Sequence, residues 1–311
     1  MIPAGETFDG RWPFEPRFTD RTGFRMHYVD EGTGDPVVLL HGEPTWGYLY
    51  RRMIGPLAER HRVLVPDHMG FGKSETPQDR SYLLAEHVAN LESLLVKELD
   101  LHELTLVLHD WGGPIGAGFA LRHPDRIARI VLLNSVMPLG LDHEWPLMAA
   151  NLEESAWFRW ARSAHADGTF AEILGNARHT VAHLMLELQG IVNTSVVDPL
   201  WIRAYGEPFA GPGESRGAID FPRQLIAPQE FDPIQVPHPD AGAVDEVRRK
   251  AAMLVFGMQD RALLADHMLP LFSGTFPRAP IVPLPGAGHF CQEDEPQLLT
   301  ALISQFIALT P

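Results

Sequence analysis

A single cysteine, Cys291, stands among 311 residues. No internal disulfide can form, and no cysteine-built metal site is available. Tyrosine is sparse: Tyr28, Tyr48, Tyr50, Tyr82 and Tyr205 are the five in the chain. No run of about 18 apolar residues occurs, so no membrane-spanning segment is expected. The opening Met1-Ile2-Pro3-Ala4-Gly5-Glu6 has no basic stretch leading into an apolar one, so no secretory signal is expected and the chain reads as cytoplasmic. Positive charge is in deficit, with 25 Lys plus Arg against 40 Asp plus Glu and a net charge of −15. Such a surface repels phosphate backbones and anionic lipid, so neither nucleic acid nor membrane is expected as a partner. What is present is apolar: 45% of residues are hydrophobic, enough for a large core. Composition leaves the oligomeric state open and is compatible with a monomer.

The first third alternates short apolar runs with helical spacing. Residues 24–29, 36–40, 62–65, 104–108 and 130–133 read as strands, as do 253–256 and 281–284. Residues 80–99 carry Leu84, Val88, Leu91 and Leu95 on one helical stripe. Near-continuous apolar strands separated by helices predict an α/β fold, a mostly parallel sheet covered on both faces. Functional residues in such sheets sit at the carboxyl ends of the strands. The alternation stops in the middle of the chain. Residues 144–188 look helical, and residues 206–239, dense in Pro and Gly, read as irregular chain. The expected organisation is a core of residues 1–136 and 229–311 with an inserted helical cap of residues 137–228.

Three strand ends carry the chemistry. The run LTLVL leads into His109-Asp110-Trp111-Gly112-Gly113 and then a helix, a tight turn that pushes one side chain out of the sheet. Asp110 takes the place of serine in G-x-S-x-G, although Leu108 stands where that pattern has its first glycine. Its simplest role would be to cap the helix. An ionised carboxylate can also attack carbon bearing a good leaving group, and it needs no base to do so. His289 follows Gly286-Ala287-Gly288 after a late strand, and Asp260 ends the run LVFGMQD. The order Asp110, Asp260, His289 is that of nucleophile, acid and histidine in the α/β-hydrolase fold. His289 would act as general base on water, with Asp260 fixing its tautomer. Asp266 is the rival acid, and Asn134, after the earlier strand, cannot ionise. The turn His41-Gly42-Glu43-Pro44 offers the backbone N–H of Glu43 as an oxyanion donor, and the N–H of Trp111 is the second.

Together HGEPTWGYLYR (41–51), PDHMGFGKSETP (66–77), HDWGG (109–113), GMQDRALL (257–264) and GAGHFCQED (286–294) resemble the haloalkane dehalogenases over roughly two-thirds of the chain. HG-x-P and DWGG are shared with epoxide hydrolases and β-lactone decarboxylases. HGEPTW with GMQD resembles more narrowly the dehalogenase branch whose acid follows the later strand. The resemblance implies displacement of halide by Asp110, then hydrolysis of the alkyl ester by water that His289 activates. Its partners would be a small halogenated substrate, water and the released halide, with no metal and no organic cofactor. It also implies that two indole N–H groups hold the halide. Trp111 matches the first. The second would come from the cap, where Trp145, Trp157, Trp160 and Trp201 are candidates. The resemblance implies a donor about 50 residues past the nucleophile, where AWFRWARS stands, and so favours Trp160 and then Trp157. Glu43 would also border the substrate.

An epoxide hydrolase would need two cap tyrosines, and only Tyr205 lies there. A fluoroacetate dehalogenase would carry arginine in place of Trp111. A serine esterase lacks its serine. A β-lactone decarboxylase usually has Asn at the place of Glu43 and is the nearest enzymatic rival. A ligand receptor of the same fold would not need Asp110, Asp260 and His289 together. His179 and His183 are spaced i, i+4 but have no third ligand nearby in sequence, so no metal is expected there. Cys291 is expected to pack, and Arg248-Arg249-Lys250 to end a solvated helix.

Overall fold

The apolar runs become strands of one sheet in the computed structural model, which describes residues 2–211, 213–231 and 240–310. The strands are β1 (Arg17–Thr19), β2 (Met26–Glu31), β3 (Pro36–Leu40), β4 (Arg62–Pro66), β5 (Leu104–Asp110), β6 (Ile127–Ser135), β7 (Ala251–Gly257) and β8 (Ile281–Leu284). Their order is β1-β2-β4-β3-β5-β6-β7-β8. β2 runs antiparallel to β1 and β4, and every other pairing is parallel. Residues 37–40 of β3 and 104–109 of β5 are all buried, because helices cover both faces. β8 lies at the edge, where Pro283 withholds no hydrogen bond that a further strand would need. The short β1 carries no sequence signal of its own and owes its extended form to pairing with β2.

Helices Arg51–Ala58, Leu84–Glu92, Gly112–Arg122, Ala241–Arg249, Ala265–Thr275 and Pro296–Leu309 flank the sheet. The expected helix over 80–99 is shorter, starting at Leu84 and continuing as a wider π turn from Ser93 to Glu98. Between β6 and β7 the chain is helical, with segments at Glu144–Glu154, Ala156–Ala166, Phe170–Gly175, Ala177–His183, Pro199–Gly206 and Arg216–Ile226. The last of these corrects the expectation of irregular chain over 206–239. Gly217, Ala218, Phe221 and Pro222 recur on one buried face, and that periodicity outweighs the helix-breaking effect of Pro222. Residues 232–239 of that expectation lie outside the described residues. No described helix is long and apolar enough to cross a membrane.

Two buried links tie the helical insertion to the sheet. The indole N–H of Trp46 donates to the Ala204 carbonyl at 2.8 Å, and the Tyr205 hydroxyl donates to Glu293 at 2.6 Å. Burial works against the charge of Glu293, but Arg51 and Arg52 outweigh it and keep the carboxyl below its usual range. Arg51 meets it with two bonds of 2.6 and 2.9 Å. A buried carboxylate is tolerable only with such compensation.

Candidate active site

Asp110 ends β5 with a φ of 48°, in the left-handed region that side chains seldom adopt. Close approach enforces this turn. A Cβ on Gly42 would collide with the Asp110 carboxylate, and one on Gly113 would collide with Ser135 and the Val136 carbonyl. The Ser135 hydroxyl donates to the Asp110 carbonyl at 2.6 Å and pins the turn from β6. The carboxylate projects to the sheet top with its side chain 15% exposed.

Its Oδ1 accepts from the Glu43 backbone N–H at 2.7 Å. Its Oδ2 lies 3.5 Å from Nε2 of His289, and Nδ1 of His289 meets Oδ2 of Asp260 at 2.8 Å. Asp260 is held in turn: Oδ1 accepts from the N–H groups of Ala262 (2.7 Å) and Leu263 (2.8 Å), and Oδ2 from Asn134 (2.9 Å). Asp266 lies exposed in the next helix and takes no part. Asn134 thus serves the acid without replacing it. Like Asp110 it has positive φ, 42°, and its amide also grips both backbone groups of Gly257. His109 adds a further tie, its Nε2–H donating to the His289 carbonyl at 2.9 Å. The roles of Asn134 and His109 depend on contacts 123 and 180 residues away, which no local motif reveals.

The electrostatics follow from burial and these pairs. Burial works against the charge of Asp110, but the neighbouring His289, 3.5 Å away, outweighs it and holds the carboxylate below its usual range. Burial would lower the pKa of His289, yet Asp260 and Asp110 raise it to about 10. Glu43 goes the other way. Burial, then the Asp110 charge, push its carboxyl well above the usual range.

Above Asp110 lies a cavity of about 650 Å³. Trp111, Pro114, Val136 and Leu263 line the sheet side, with Pro138, Met148, Phe158 and Leu225 and the polar Asp142, Glu144 and Gln224 on the side of the helical insertion. Trp111 stacks on Phe221 at 4.7 Å between ring centres, and its indole N–H bonds to no described residue. The expected cap donors are elsewhere. Trp157 and Trp160 stack on each other at 5.3 Å, and Trp160 packs on toward Phe170. Neither lines the cavity; Phe158, between them in sequence, faces it instead. A helix turns about 100° per residue, so neighbours of a lining residue point away. Trp145 lines the mouth but is 65% exposed, and Trp201 is buried against Tyr205. Tyr205, engaged by Glu293, does not line the cavity either.

The chain as a whole has counterparts among known proteins. Residues 35–296 match the family model described as the alpha/beta hydrolase fold. A haloalkane dehalogenase of Mycobacterium marinum is 37% identical over 92% of this chain and 90% of its own length. A cis-3-alkyl-4-alkyloxetan-2-one decarboxylase of Xanthomonas campestris is 30% identical over 98% of this chain and 99% of its own. The crystal structure of haloalkane dehalogenase DbeA from Bradyrhizobium elkani superposes with a TM-score of 0.73 at 25% identity, covering 94% of this chain and 99% of that one. The chain belongs to the α/β-hydrolase fold family and, within it, to the haloalkane dehalogenase branch.

Proposed function

We propose that this enzyme hydrolyses haloalkanes to alcohol and halide, with Asp110 as nucleophile, His289 as base and Asp260 as its orienting acid. One observation carries the reading: a carboxylate, not a serine, stands at the nucleophile turn, beside a paired histidine and under an apolar cavity. A carboxylate oxygen attacks the carbon bearing halogen. The carbon–halogen bond breaks, its electron pair leaves as halide, and an Asp110 ester remains. The Trp111 indole N–H would hold the departing halide where little water competes. We take residues 137–228 as the cap that supplies the dry roof.

The ester sets up its own hydrolysis. While Asp110 is ionised it helps to keep His289 protonated, in which state His289 cannot act as a base. Alkylation removes that charge. Only Asp260 then supports the imidazolium, and the basicity of His289 falls toward the range useful near neutral pH. His289 takes a proton from water, and the hydroxide oxygen adds to Cγ of the ester. The N–H groups of Glu43 and Trp111 would stabilise the oxyanion. Collapse expels the alkoxide, which takes the proton of the new carboxylic acid and leaves as alcohol. The proton on His289 goes to solvent with the halide.

The test is halide release from 1,2-dibromoethane and 1-bromobutane by the wild type and by Asp110→Asn. Release by the wild type alone is expected. A folded wild type that releases nothing would sink the proposal. A second reading, β-lactone decarboxylation, draws on the decarboxylase relatives and on the absence of a buried cap indole from the cavity lining. Conversion of a cis-dialkyl β-lactone to an alkene, with no halide release, would favour it.

A further inference from the structure

The buried polar atoms with no hydrogen-bond partner among the described residues include Nε2 of His289, Oε1 of Glu43 and Oε1 of Gln189. Buried polar atoms are seldom left unpaired, and each such case asks for an explanation. Here two of the residues touch the Asp110 carboxylate, and the third, Gln189, is linked to it through Glu43. His289 Nε2 is 3.5 Å from Asp110 Oδ2, the Glu43 N–H holds Asp110 Oδ1, and Nε2 of Gln189 lies 3.2 Å from Glu43 Oε2. A buried water needs two to four polar partners, and such a group supplies them.

Gln189 is the unexpected member, since it comes from the helical insertion. It sits at the end of a π turn, Leu184–Gly190, and is itself buried. Its backbone carbonyl accepts from Arg261 N–H at 3.1 Å, next to Asp260. The following Gly190 carbonyl accepts from Phe290 N–H at 3.4 Å, next to His289. This corner of the cap therefore touches the loops of Glu43, Asp260 and His289 at once.

We propose that Gln189, with the side chain of Glu43, positions the water that His289 deprotonates to hydrolyse the Asp110 ester. The inference rests on the dehalogenase reading above. The side-chain oxygen of Gln189 accepts one hydrogen bond from the water and leaves its other proton aimed at His289 Nε2. Alkylation of Asp110 consumes no water, so only the second step feels Gln189.

The experiment separates the steps with 1-bromobutane. Rapid-quench measurement gives the first-turnover halide burst, steady-state assay gives kcat, and intact-protein mass gives the alkyl adduct. For Gln189→Leu the burst rate should stay within about 2-fold of the wild type. Its kcat should fall on the order of 10²-fold, the usual cost of misplacing a reactant, and the adduct should accumulate. Gln189→Met, close to isosteric, should do the same and guards against a folding defect in the first variant. Equal loss of burst and turnover in both variants, or no change in either quantity, overturns the proposal while dehalogenation stands. A wild type with neither burst nor adduct removes the dehalogenase reading, and this inference with it.

Discussion

On the sheet side of the cavity the polar groups around Asp110 are tied to one another and to backbone; on the side of the helical insertion the lining is mostly apolar, with Glu144 and Gln224 turned to backbone bonds of their own and Asp142 beside them. Asp110 is fixed by Glu43 and Ser135, and Asp260 by Asn134, Ala262 and Leu263. Across the gap stand Pro138, Met148, Phe158 and Leu225. The floor fixes reacting atoms to within fractions of an ångström, because every hydrogen bond there has one good geometry. The roof needs only shape and dryness, which many side chains can supply. Changes in the floor should therefore alter chemistry for any substrate, while changes in the roof should depend on which substrate is offered.

The strongest way to break this contrast is His289→Phe. Turnover should fall on the order of 10³-fold, with the Asp110 ester trapped and visible by mass, since water loses its base but the nucleophile remains. A variant that still turns over would mean the floor is not what it is taken to be. Trp111→Phe should lower halide release on the order of 10²-fold for every substrate, the usual effect of losing one preorganised donor. If the loss tracks chain length instead, Trp111 belongs with the roof. Phe158→Ala should reduce kcat/KM roughly 10-fold for short substrates, where the lost ring contact is felt, and less for long ones that fill the space. A uniform loss would blur the two sides.

Acid stability sharpens the picture away from the cavity. Burial holds His87 and His109 neutral, with pKa values of about 3, below the value of about 6.5 for an unfolded histidine. Their contribution is complete above pH 6.5 and lost as pH falls toward 3, each by up to about 1.4 kcal/mol per pH unit. His87→Phe should flatten the fall in urea-unfolding free energy between pH 6.5 and 4.5. An unchanged slope would place the acid sensitivity elsewhere. His289 acts in the opposite sense. Raised to about 10, it contributes stability that is lost as pH climbs from about 6.5 through that value.

The same division governs what could be read from residues alone. β3 and β8 coincide with the apolar runs read at 36–40 and 281–284, and the placing of Asp110, Asp260, His289 and Glu43 at or just past strand ends was legible because each sits in a short motif with strict steric demands. Asn134 and His109 were not credited with their contacts, since a tie to Gly257 or to the His289 carbonyl has no local signature. The roof was barely legible. Trp160 and Trp157 were favoured by spacing, but one step of helical phase put Phe158 at the cavity instead. The helix Arg216–Ile226 was masked by Pro222 and nearby glycines, although its buried face was already periodic. Motifs record steric and chemical necessity, and an apolar roof imposes little of either.

Glu293 sets a rule for anyone who would exchange the roof for that of a relative. This carboxylate lies four positions beyond His289, and it takes one partner, the Tyr205 hydroxyl of the helix Pro199–Gly206, from the transplanted piece. A graft that fits the cavity but brings no hydroxyl there, and no carbonyl to meet Trp46, would strip one hydrogen bond from an interior carboxylate and leave an indole N–H unmet. Compatibility between parts is thus decided at the seam behind the reaction chamber, and a library of exchanged roofs should be screened first for that seam.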